Sequence, residues 1–137
     1  MKAHTEFETT SAATGLDEST PDAIAPDGSE IRFLLILPEM STVHCSLPPG
    51  GVSRAVTHRT VQEIWHFLAG EGEIWRRQGD REEVLRVSPG ICLSIPLGTH
   101  FQFRNTGAGP LQFFIATAPP WPGAEEAIQV EDHWPVD

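Results

Sequence analysis

Residues 50–70 read GGVSRAVTHRTVQEIWHFLAG and residues 90–105 read GICLSIPLGTHFQFRN, and these two stretches decide the fold. Neither carries a helical period. In the first, Glu63, Trp65 and Phe67 fall on one face of an extended chain, with His66 on the other. Working outward, the chain repeats strand, turn, strand. Ile31–Leu37 is a continuous apolar run suited to a buried strand, Met40–Leu47 follows, and Pro48-Pro49-Gly50-Gly51 breaks the run. Val52–His58, Val61–Ala69 and Gly72–Gln78 come next. Gly79-Asp80, between Ile74-Trp75 and Val84-Leu85, predicts a tight hairpin, because Gly supplies the positive φ such turns need. Ile91–Ile95, Phe101–Asn105 and Leu111–Thr117 complete about nine short strands, which predicts an all-β, closed or double-sheet architecture over residues 31–118.

The glycines, proline and polar residues in the two stretches keep a fixed spacing. The first reads Gly50-x5-Val56-x-His58-x4-Glu63-x6-Gly70 and resembles the first cupin motif, in which the Val56 position is usually a second histidine. The other reads Gly90-x5-Pro96-x-Gly98-x2-Phe101-x3-Asn105 and is similar to the second cupin motif, whose last histidine would fall at Phe101. The resemblance implies a double-stranded β-helix, the cupin or jelly-roll barrel. It also implies three histidines and one glutamate around a divalent ion such as iron, manganese, zinc or nickel. Here Val56 and Phe101 occupy two of the four positions, and neither side chain can donate an electron pair. His58 and Glu63 remain.

His100 adjoins the expected position. A one-residue bulge before Asn105 would turn it inward and give His58, Glu63 and His100, a two-histidine, one-carboxylate group suited to a metal with open positions. Without the bulge, Phe101 and Phe103 face the interior and His100 faces out with Gln102 and Arg104. A barrel with the ion and a barrel without it both stand. Alternation that points His58 inward also points Val56 and Arg54 inward, where Arg54 could hold a carboxylate or phosphate, or pair with Glu63, or lie at the rim. The expected ligand-binding surface is therefore Arg54, His58, Glu63, Trp65, Phe101 and Phe103. His44 and Cys45 are adjacent on one strand and do not converge. Cys45 and Cys92, both in strand-like runs, are expected to be buried and reduced.

The flanks differ in composition. Residues 1–30 carry seven acidic residues against Lys2, too little apolar surface to fold alone, so they form an acidic arm that is solvated or laid on the barrel or a partner. Residues 119–137 form a Pro/Trp-rich tail. Trp121 and Trp134 are costly to leave in water, so they pack on the outside of the barrel, cover its mouth or cross to a second subunit.

The 137 residues hold 19 acidic against 9 basic side chains, a formal charge of -10, which argues against nucleic acid or an anionic membrane as partner. The longest apolar run is too short to span a bilayer, and residues 1–10 hold no secretory apolar stretch, so the expectation is a cytoplasmic protein. The expected partners are a small-molecule ligand, carboxylate or sugar-like, and a second copy in a homodimer. The alternative is a metal-dependent isomerase, lyase or dioxygenase using His58, Glu63 and His100. An acid–base enzyme working without metal also stands.

Overall fold

The computed structural model describes residues 11–17 and 19–136. The part of the acidic arm over residues 1–10 lies outside them. Among the described residues there are eleven strands: β1 (Ala23–Ile24), β2 (Glu30–Leu37), β3 (Met40–Leu47), β4 (Val56–His58), β5 (Gln62–Ala69), β6 (Gly72–Gln78), β7 (Arg81–Val87), β8 (Cys92–Ile95), β9 (His100–Asn105), β10 (Leu111–Ala118) and β11 (Ala127–Gln129). One sheet has the order β1-β2-β3-β10-β5-β8 and the other β11-β4-β9-β6-β7. All strand pairs are antiparallel. Apart from one 3-10 turn at Ala124–Glu126, the described chain has no helix, and none is long and apolar enough to cross a membrane.

Alternation builds the core. On β5, Glu63, Trp65 and Phe67 are buried while Gln62, Ile64, His66 and Leu68 are exposed. On β10 the buried set is Leu111, Phe113, Ile115 and Thr117. Trp65 stacks on Phe113 at 4.6 Å and meets Phe101 and Phe103 edge-on, each at 5.3 Å. The barrel is thus filled by rings. Such edge and offset contacts suit the ring quadrupoles.

Two turns show why glycine is required. At Gly70, φ is +86°, and an added Cβ would lie 2.4 Å from the Pro110 carbonyl oxygen. Gly79 opens the two-residue β6–β7 hairpin with φ +58° while Asp80 keeps a negative φ, the pattern of a type II′ turn.

The structure departs from the expected strands at two places. The expected strand Val52–His58 is regular only over Val56–His58, with an isolated bridge from Val52 to Arg104. Between them the chain bonds elsewhere: the Arg54 amide donates to the Asp27 carbonyl at 2.8 Å and the Ala55 amide to the Asp132 carboxylate at 2.8 Å. The interruption shifts the alternation by one residue, so Ser53 and Ala55 are buried and Arg54 is exposed. Upstream, residues before Ile31 join the sheet. Ala23–Ile24 pairs with β2, and the Asp22 carboxylate accepts from the Phe33 amide at 2.8 Å.

The tail runs over its own barrel. Strand β11 pairs with β4, then the chain crosses the outer face of the second sheet. There Gln102 is fully buried although it faces outward. Its amide nitrogen donates to the Ser53 and Trp134 carbonyls, and its oxygen accepts from the His133 and Trp134 amides, all at 2.8–2.9 Å. His133 stacks on Trp75 at 5.2 Å, and the Arg104 guanidinium lies 4.4 Å over Trp134. Gln102→Leu should release this end of the tail and cost about 2 kcal/mol, since four backbone groups lose their partner but can reach water. Thermal unfolding measures the loss, and an unchanged transition would show that the tail is held by its rings alone.

Candidate functional site

One end of the barrel brings the buried polar side chains His58, Glu63 and Thr117 to the inward faces of β4, β5 and β10. Glu63 opens the inward face of β5, and its two carboxylate oxygens accept from Trp65 Nε1 at 3.0 Å and Thr117 Oγ1 at 2.7 Å. Burial pushes the Glu63 carboxyl up to about 7, against the lowering effect of those two hydrogen bonds. His58 closes the inward face of β4. Its ring lies 5.2 Å from Phe101 and 5.3 Å from Trp121, edge-on to both, and its Nδ1 is buried with no hydrogen-bond partner. Burial lowers His58 to about 4, while the Glu126 carboxylate pulls the other way. At neutral pH the site therefore presents a neutral imidazole, and a carboxyl group poised to be protonated. His58 and Glu63 are each only 8% exposed.

Glu126 belongs to the same end. Its carboxylate accepts from the Thr60 amide at 2.5 Å, the Thr60 hydroxyl at 2.7 Å and the Val61 amide at 2.9 Å. Burial alone would raise this carboxyl, but those bonds and the nearby His58 bring it below the usual range. It clamps the loop that joins His58 to Glu63.

Residues 43–117, more than half of the chain, match a family model described as the cupin domain. The chain belongs to the cupin family. Solved structures with this fold include an uncharacterized conserved protein with a double-stranded β-helix domain from Klebsiella pneumoniae, at TM-score 0.68 and 21% identity. It covers 90% of this chain and 100% of that one. KdgF from Halomonas sp. aligns at TM-score 0.66 and 18% identity, over 79% of this cupin and 94% of its own chain. A predicted oxalate decarboxylase from Thermotoga maritima gives 0.61 and 23%, over 74% and 94%. At these identities the likeness is one of fold. No curated protein sequence matches the chain.

The residues present do not fit the family's divalent ion. Val56 and Phe101, at two of its four positions, are cross-strand partners, 3% and 2% exposed, and offer only C–H groups. His100 does not join His58 and Glu63. It lies opposite Arg77 on the outer face of β9, with Nδ1 3.4 Å from the Arg77 guanidinium, because Phe101 and Phe103 take the inward places. The bulge that would have turned it inward is absent from the β6–β9 register. Among the described residues, no three His, Cys, Asp or Glu side chains gather closely enough to hold one metal.

The other sequence candidates separate. Arg54 does not stand beside His58, for the backbone reason given above. Trp65, Phe101 and Phe103 line the interior, but as packed core. Cys45 is buried and its thiol is pushed well up, chiefly by burial, whereas Cys92 is exposed rather than buried, since Leu93 and Ile95 take the inward positions of β8. His44 is buried on the opposite face from Cys45, and His66 is exposed. One cleft of about 250 Å³ runs along Arg76, Glu83 and Ser94, and another of about 260 Å³ lies over Arg32 and His44. In the first, the inward Arg76 is already paired with Glu83. Thr117 was findable from sequence, as a polar residue at an inward position of the alternating strand Leu111–Ala118. Glu126 carries no such local signal, and Trp121 was marked only as a ring that must be covered, with the barrel mouth as one of three places.

Proposed function

We propose that this cupin binds a small, uncharged, hydroxylated molecule, sugar-like in its chemistry, at the His58–Glu63 end of the barrel, and that it needs no divalent ion to do so. The observation that carries this reading is the buried, unpartnered Nδ1 of a neutral His58. A buried polar atom without a partner costs about 1–3 kcal/mol, which a ligand hydroxyl would recover. A carboxylate ligand asks for a fixed cation. Arg54 is exposed, and Arg76 is neutralised by Glu83.

Thermal-shift measurements in the presence of chelator should show stabilisation by neutral monosaccharides, weakened in His58→Gln, and none by the corresponding sugar acids. Stabilisation by the acids alone would overturn the neutral-ligand reading. A shift that appears only with added iron, manganese, zinc or nickel would overturn the metal-free one.

A second reading, acid–base catalysis without metal, is favoured by the raised Glu63 carboxyl. Near neutrality Glu63 is divided between its acid and base forms and can give or take a proton, while His58 stays a neutral imidazole that offers hydrogen bonds rather than proton uptake. The metal-dependent enzyme would need His58, Glu63 and His100 on one ion. Assembly as a homodimer is part of the proposal, supported by Ile64 and Leu68, 56% and 47% exposed on the outer face of β5. A monomer in sedimentation equilibrium would overturn that part.

A further inference from the structure

The chain between Pro119 and Gly123 spans two fixed points. On one side β10 ends at Ala118, paired with Gln62. On the other, Glu126 is fastened to Thr60 and Val61, and the Arg59 side chain donates to the Glu125 carbonyl at 2.9 Å. Pro119, Pro120 and Pro122 have no amide N–H, so they cannot donate to a backbone ladder. Within the strap, the Trp121 amide donates to Ser41 Oγ at 3.0 Å, and the Trp121 ring lies against His58. The strap ends at Gly123, whose φ of +146° is open to glycine and rarely to other residues, with nothing within 4 Å of the place a Cβ would occupy. A half-buried indole thus rests on the inward imidazole of His58, whose Nδ1 has no partner.

We propose that Trp121 is the specificity-determining cover of the His58 site: it swings aside on the Pro119–Gly123 strap, and closes with its ring against the bound molecule. This rests on the proposed binding at His58 and adds the ligand's shape to it. A molecule seated there meets an indole face on one side and His58 Nδ1 on the other. That combination selects a ring with one C–H face and hydroxyls at its edge, a pyranose rather than an acyclic polyol.

Two measurements separate the cover from the binding. Diethylpyrocarbonate acylates accessible neutral imidazoles, and peptide mapping assigns the modified histidine, so no ligand is needed. In the native protein His58 should react far more slowly than exposed His66. In Trp121→Ala its rate should rise by about tenfold or more while His66 and buried His44 keep theirs, as expected for removal of a local closed state. An unchanged His58 rate would overturn the cover. If His44 accelerates in step, the barrel has loosened as a whole. The comparison then moves to Trp121→Phe, which must raise His58 alone for the proposal to stand.

The second measurement follows intrinsic fluorescence on addition of glucose, galactose, mannose and xylose, with sorbitol as the acyclic control. A pyranose that binds should change the native emission, and its affinity should fall by about tenfold in Trp121→Ala, the size of effect a single aromatic contact supplies. Equal affinity in Trp121→Ala, with affinity lost in His58→Gln, would overturn the contact with Trp121 while leaving the site. No response to any of the sugars would overturn the binding, and the acylation result would still judge the cover.

Discussion

Glu63→Gln should yield a protein whose stability falls as the pH drops from about 6.5 to about 4, and His58→Gln one whose stability falls as the pH rises from about 4.5 to about 7. Burial raises the Glu63 carboxyl from 4.5 to about 7, so between those values the fold keeps a proton that the unfolded chain releases. Its contribution is complete below 4.5 and is lost as the pH climbs through 7. Burial lowers His58 from 6.5 to about 4, so the unfolded chain takes up a proton that the fold refuses. That contribution is complete above 6.5 and is lost as the pH falls through 4. Across the shared window the two slopes oppose, and in the native protein they largely cancel. At about 1.4 kcal/mol per pH unit, removing either group should expose a swing on the order of 3 kcal/mol in the other. Urea unfolding followed by tryptophan emission at several pH values reads both slopes. Parallel profiles for the native protein and both variants would mean that neither group titrates as the fold dictates.

The second large effect belongs to Glu126. Glu126→Ala strips the acceptor from the Val61 amide, which is buried, and from the amide and hydroxyl of Thr60, which are part-buried. Water can replace the bonds at Thr60 more easily than the one at Val61. With one buried donor left unpaired and a charged acceptor gone, the loss should be on the order of 3 kcal/mol. For a chain of this size that is roughly a 10 °C fall in Tm. Glu126→Gln keeps one acceptor oxygen and should lose less. Hydrogen exchange at the Val61 amide localises the effect: it should speed up in Glu126→Ala before the core amides of β5 and β10 do. Uniform acceleration across the barrel would show that the clasp is no local feature but part of the global fold.

The inward positions on β5 were legible in the sequence, those on β9 only as one of two alternatives, and on β8 Cys92 was placed inside although Leu93 and Ile95 take the inward positions. Alternation puts Glu63, Trp65 and Phe67 on one face, and the volume of Phe101 and Phe103 keeps those rings, not His100, inside. The same reading failed at Arg54. Alternation assumes an unbroken ladder, and the bonds from Arg54 and Ala55 to Asp27 and Asp132 break it. The unpartnered state of His58 Nδ1 was equally illegible, since it depends on every neighbour of the ring.

From its residues alone the chain specifies a cupin barrel with two apolar side chains at metal positions. Strand period, turn chemistry and the absence of a lone pair on Val56 and Phe101 are local properties that no packing can change. Gly50 to Thr117 holds that framework, and the packed barrel adds what the framework is closed by. Only the tertiary structure decided that Glu126, 66 residues from Thr60, clamps the loop between His58 and Glu63, and that Trp121 rests on the imidazole. Those roles come from contacts between distant segments. A carboxylate in a polar tail, or an indole between prolines, acquires a role only from what the fold sets against it.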